Sequence, residues 1–76
     1  MLYYHQEVNE MKLYDVSGII QCGHRLYNVQ KYVVANSPKE AYTLFTAKHP
    51  HAKGTVVQYK YEIKDARDPH IIFTNL

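Results

Sequence analysis

At 76 residues, with 46% apolar side chains and a formal net charge of +2, the chain has room for one domain and one modest core. No apolar run approaches the roughly 20 residues of a membrane-spanning helix, and Cys22, the single cysteine, excludes an intrachain disulfide. Nine bases against seven acids, not gathered into an arm or tail, fall short of the basic block of a dedicated nucleic-acid binder.

Residues 1–10 are polar and aromatic without periodicity and read as a frayed lead-in or an added short strand; with Met11 they form the lead-in segment 1–11. They lack the basic start and apolar centre of an export signal, so a cytoplasmic chain is expected. Residues 12–76 read as one domain. From residue 12 to 22 the pattern alternates at period two, with Tyr14, Val16, Gly18, Ile20 and Cys22 on one face and Leu13, Asp15, Ser17 and Ile19 on the other. Gly23-His24 turns the chain into a second strand over 25–35, so the two runs predict a β-hairpin. Asn36-Ser37-Pro38-Lys39-Glu40 is a helix start: Ser37 as N-cap, Pro38 at the first helical position and Glu40 closing a capping box. The helix should run to about His49, with Ala41, Leu44, Phe45 and Lys48 on one stripe, and Pro50 blocks its continuation.

A loop over 51–54 then leads to a third strand over 55–64, with Val57, Tyr59, Tyr61 and Ile63 expected on one face. After a turn over 65–69, residues 71–73 suggest a short edge strand. The order of elements predicts a small α+β domain of ββαβ type. Its antiparallel-rich sheet has order 2-1-3, with a possible fourth strand and one helix on one face. The other face is expected to be open and polar: Asp15, Ser17, Asn28, Gln30, Tyr32, Gln58, Lys60 and Glu62.

The sequence carries no phosphate-cradling glycine loop, no nucleophile elbow and no paired metal-binding histidines on a helix. No catalysis and no cofactor are expected. Two constellations remain. Cys22 and His24 flank the hairpin turn, His49 and His51 flank Pro50, and a returning helix would bring the two pairs to one end of the domain. Four such ligands suit zinc, although the spacing also fits exposed loop histidines beside a small apolar cysteine. The same end carries Arg25, Lys48 and Lys53, a cationic rim for phosphate or an acidic protein surface. On the open face Tyr32, Gln30, Asn28 and Lys60 are the candidate partner-binding residues, tyrosine serving as anchor.

The segments "VVANSPKEAYTLF" and "GTVVQYKYEI", set behind a hairpin, resemble short phage-encoded inhibitors of host enzymes. These include a podophage inhibitor of bacterial RNA polymerase and some anti-CRISPR proteins. The pattern is similar in the same way to the small archaeal ribosomal protein of the LX type. The likeness covers residues 12–64, is topological and assigns no site residue. It implies a non-enzymatic accessory protein of a phage or mobile element that inhibits a host defence complex or polymerase by occluding a surface. With seven acids against nine bases, imitation of a DNA duplex is not its means. Two alternatives stay open: a nucleic-acid-binding or ribosome-associated module using the cationic end, and a structural subunit of a larger assembly.

Overall fold

The computed structural model describes residues 11–64 and 68–72. The lead-in of residues 1–10, most of the turn after the third strand and Phe73 lie outside the described residues. Four strands and one helix follow in the order β1 (Met11–Cys22), β2 (Arg25–Ala35), α1 (Pro38–Lys48), β3 (Lys53–Ile63) and β4 (His70–Ile72). The strands form one antiparallel sheet in the order β3-β1-β2-β4. The chain is thus the α+β ββαβ domain its pattern predicts, with the short fourth strand docked outside β2.

The hairpin closes as tightly as two strands allow. Cys22 pairs with Arg25, leaving only Gly23 and His24 to turn the chain. Gly23 sits at φ 63° and His24 at negative φ. That combination marks a type II′ turn, whose twist matches that of the flanking strands. At the far end of β2, Ser37 caps α1 by accepting a hydrogen bond from the Glu40 N–H at 3.2 Å. The Glu40 carboxylate reaches one residue further back than in a standard capping box. It accepts from the Asn36 backbone N–H at 2.7 Å and from the Asn36 side-chain amide at 3.1 Å. At the other end, the His49 N–H donates to the Phe45 carbonyl at 2.8 Å, and Pro50 follows.

The helix packs on the face of β1 that carries Tyr14, Val16 and Gly18. Ala41 and Phe45 are fully buried there with Tyr14, Val16, Val33 and Ala35, and Leu44, Val57 and Ile71 close the margin. Gly18 lets the helix and the following loop come close to β1. A Cβ at that position would meet the Ala52 Cβ at 3.0 Å, the Thr55 hydroxyl at 3.2 Å and the Phe45 ring at 3.4 Å. Tyr14 sets its ring edge-on to Tyr59, with centroids 6.0 Å apart. Burial, and to a smaller extent the Tyr59 phenol, push the Tyr14 hydroxyl above the ordinary 10.0 of a phenol.

Strand β3 departs from the expected alternation at two places. Leu13 pairs with Tyr61 but Tyr14 with Tyr59, so Lys60 is an extra residue in β3. A second extra residue falls between the Ser17–Val56 and Ile19–Lys53 pairs, beside Gly54 at φ 62°. The bulge at Lys60 flips every side chain beyond it. Val57 and Tyr59 therefore face α1, as expected, but Tyr61 and Ile63 emerge on the opposite face and Glu62 returns to the helix side. On that opposite face Met11, Leu13 and Val34 form a second buried cluster, with Tyr32, Ile63 and Ile72 packed against it. Met11 accordingly belongs to β1 and to a core, not to the lead-in.

Three substitutions test this packing by urea or thermal melting. Ser37→Ala should cost about 1 kcal/mol through the lost cap, and Phe45→Ala about 3–5 kcal/mol. Gly18→Val should cost about 1–3 kcal/mol by forcing Ala52 and Thr55 away from β1. A Gly18→Val chain as stable as the wild type would show that the loop does not lie on β1.

Tyr14 gives a pH signature. Below about pH 10 both folded and unfolded chains keep its proton, and its contribution to stability is whole. Above that, the unfolded chain releases the proton while the folded chain retains it. Stability should then fall as pH climbs toward the raised folded value. Tyr14→Phe should lose less stability than the wild type between about pH 9 and 11. Parallel losses in the two chains would place the Tyr14 hydroxyl in water.

Candidate functional site

The face of the sheet away from α1 changes character along the strands. At one end lies the buried Met11, Leu13 and Val34 cluster. A shallow pocket of about 250 Å³ opens over it, lined by Leu13, Tyr32, Lys60, Tyr61 and Ile72. The middle is polar: the Gln30 amide donates to both oxygens of the Asp15 carboxylate at 2.8 Å. At the other end Ile19, Leu26 and Val56 stand on neighbouring rungs of β1, β2 and β3, exposed by 44%, 69% and 60%. The face is therefore not the uniformly polar surface expected from the sequence. The bulge sends Tyr61 and Ile63 to it, and one residue of each aliphatic doublet must point its way.

The second feature is a projecting arm. Pairing between β1 and β3 ends at Ile19 with Lys53, and β4 covers only Tyr32, Val33 and Val34 of β2. Beyond those limits the hairpin is two-stranded, and residues 21–28 are all exposed. Between this arm and the loop after α1 lies a cleft of about 610 Å³, walled by Ile19, Gln21, Gly23 and Leu26 on one side and Pro50, His51, Ala52 and Lys53 on the other. The arm carries Arg25 and no acid: from Val16 to Lys39 the sequence has neither Asp nor Glu.

The Cys/His constellation does not assemble. Twelve residues of β1 span about 40 Å, whereas eleven residues of α1 rise only about 16 Å. The helix therefore ends level with Gly18, several residues short of the turn. Cys22 and His24 are exposed at the tip, and His51 is exposed beside the cleft. His49 is tucked against Phe45, ring centroids 5.1 Å apart, with its Nε2 buried and without a hydrogen-bond partner among the described residues. Among the described residues no three His, Cys, Asp or Glu side chains are placed to hold one metal ion.

The expected cationic rim is likewise divided. Arg25 is on the arm and Lys53 lines the cleft. Lys48 lies on the other flank of the molecule, in a hollow with Leu44, His70 and Ile71. Of the open-face candidates, Asn28 is exposed on the arm and Lys60 lines the shallow pocket at its bulge. Gln30 is engaged by Asp15, and Tyr32 is half-buried against the second core.

Comparison with protein-family models, curated proteins and solved structures returns no match. The reading of the site therefore rests on its own chemistry. Sequence reasoning missed Ile19, Leu26 and Val56. The doublets Ile19-Ile20 and Val56-Val57 were the available signal, because two adjacent aliphatics in a strand put one on each face.

Tyr32 and Tyr61 line the same pocket but differ in support. Tyr32→Ala should lower stability by about 1–3 kcal/mol by uncovering Met11, Leu13 and Val34. Tyr61→Ala, at a side chain 58% exposed, should stay within about 0.5 kcal/mol of wild type. Urea melts of the two variants decide it, and equal losses would make Tyr61 part of the core.

Proposed function

We propose that the chain is a non-catalytic binding protein that docks a protein partner on the open sheet face, at the end carrying Ile19, Leu26 and Val56. The observation that supports this is their exposure. A domain this small has few aliphatic side chains to spend on its core. Leaving three on adjacent rungs in water, beside a cleft, is the pattern of an interaction surface. Lys53 borders that end, so a partner surface with apolar projections and an acidic margin fits.

The likeness to phage-encoded inhibitors supports a particular use of this surface. The partner proposed is a defence complex or polymerase of a bacterial host, blocked by occlusion in the host cytoplasm. Among the described residues no helix is long and apolar enough to cross a membrane. The acid-free arm favours a second reading, in which Arg25 and Lys53 hold a nucleic-acid backbone.

A pull-down from nuclease-treated bacterial lysate tests the leading reading. The wild type should retain a protein that Val56→Lys and Leu26→Asp both lose. All three chains should melt alike, because exposed substitutions shift stability by about 0.5 kcal/mol or less. Capture that vanishes with nuclease would favour the nucleic-acid reading. Capture kept by both variants would move the interface off this face.

A further inference from the structure

The backbone of the arm offers something that its side chains do not. Because Cys22 and Arg25 close a two-residue turn, they exchange their hydrogen bonds, and the antiparallel alternation follows from there. Arg25, Tyr27, Val29 and Lys31 point their N–H and C=O groups at β1. Leu26, Asn28 and Gln30 point theirs outward. The same alternation makes Tyr32 and Val34 the outward residues further on, and these are the ones opposite Ile72 and His70 of β4. Among the described residues β4 ends at that point, and the outer edge of residues 25–31 has no strand beside it.

The other long edge of the sheet differs. Strand β3 interrupts its outer side with two bulges, which discourages a further strand. Residues 25–31 have no bulge, no proline and no acid. Regular edges without bulges are the ones to which an extended segment adds.

We infer that the outer edge of β2 over residues 25–31 is a strand-addition site for an extended protein segment that alternates acidic and apolar residues. The chemistry follows the two faces of the edge. Arg25 and Lys31 project on the helix side and select acidic residues there. Leu26 projects on the open side beside Ile19 and selects apolar ones. A second copy of this chain is the poorer occupant. Antiparallel pairing about a twofold axis at Asn28 keeps like faces together, but it sets Arg25 of each copy opposite Lys31 of the other. The inference deepens the protein-binding reading and rests on it only in taking the partner to be a protein. The edge is separate from Val56 on the far side of β1.

The test is amide hydrogen exchange by NMR on the full chain, with a blocked octapeptide alternating valine and glutamate and a counterpart alternating valine and lysine. The glutamate peptide at millimolar concentration should slow exchange at Leu26, Asn28 and Gln30 by about tenfold or more, with little change at Tyr27 and Val29. The lysine peptide should have no effect. Arg25→Glu combined with Lys31→Glu should invert that preference, and Asn28→Pro, which removes one outward N–H, should abolish pairing. If Asn28→Pro does not fold, the charge inversion still decides. Val56→Lys should leave peptide pairing intact, which separates this site from face docking. No protection at millimolar peptide overturns the inference, as does protection without the alternation or along β3. Protection already present in the dilute chain alone would mean the edge is occupied, and protection growing with protein concentration would assign it to a second copy. Either result refutes the proposal.

Discussion

Phe45 and Ala41, both without measurable exposure, carry the helix onto Tyr14, Val16 and Val33. Everything that the helix secures lies within the roughly 16 Å that eleven helical residues cover. The hairpin beneath it is more than twice as long. One helix cannot cover such strands, so the part of the hairpin beyond Gly18 is left to stand by cross-strand pairing alone. Gly18 marks the boundary physically. It is where Phe45, Ala52 and Thr55 converge on β1 and where a side chain would push them off. The projecting arm, the cleft beside it and the separation of His49 from Cys22 all follow from this mismatch of lengths.

The two long edges of the sheet are managed in opposite ways. Bulges add twist and break the row of ladder hydrogen bonds, and β3 has two of them in eleven residues. The bulge at Lys60 has a second effect, since it moves Tyr61 and Ile63 to the face opposite α1. There Ile63 joins Met11, Leu13 and Val34, on a face that a single helix leaves unprotected. The sheet thus gains apolar packing on both sides at its wide end. Strand β4 supplies the last part of that packing with Ile72 while blocking the outer edge of β2 for three residues.

How much of this could be read in advance depended on how local the cause was. The cap at Ser37, the stop at Pro50 and the two-residue turn at Gly23 depend on residues within one turn of each other, and all were legible. The order of the first three strands followed from the order of elements. The faces of β3 beyond Tyr59 were not legible, because nothing in the run Gln58-Tyr59-Lys60-Tyr61 shows that Lys60 is looped out of the ladder. That depends on how β3 fits against β1, a partner more than forty residues earlier. The second core was half legible: Val33-Val34 and Ile71-Ile72 each require an aliphatic on both faces, which argues against a polar open face. The supposed metal cluster was drawn from topology without distance. Putting a 1.5 Å helical rise beside a 3.3 Å strand rise would have separated the two pairs.

The same lengthwise division bears on how the chain works. Between residues 11 and 18 β1 is buried at Met11, Leu13, Tyr14, Val16 and Gly18, and substitutions there act on stability. From Ile19 onward both strands of the hairpin are largely exposed, and their side chains answer to few neighbours. Tyrosine use follows this gradient: Tyr14 is enclosed and Tyr32 half-covered, while Tyr27, Tyr59 and Tyr61 present large rings to solvent. A fold built this way separates two demands along one pair of strands. The wide end holds the domain together. The narrow end can then carry exposed aliphatics, an acid-free run and, among the described residues, an open backbone edge, three features that would be liabilities in a monomer and that a bound partner would cover.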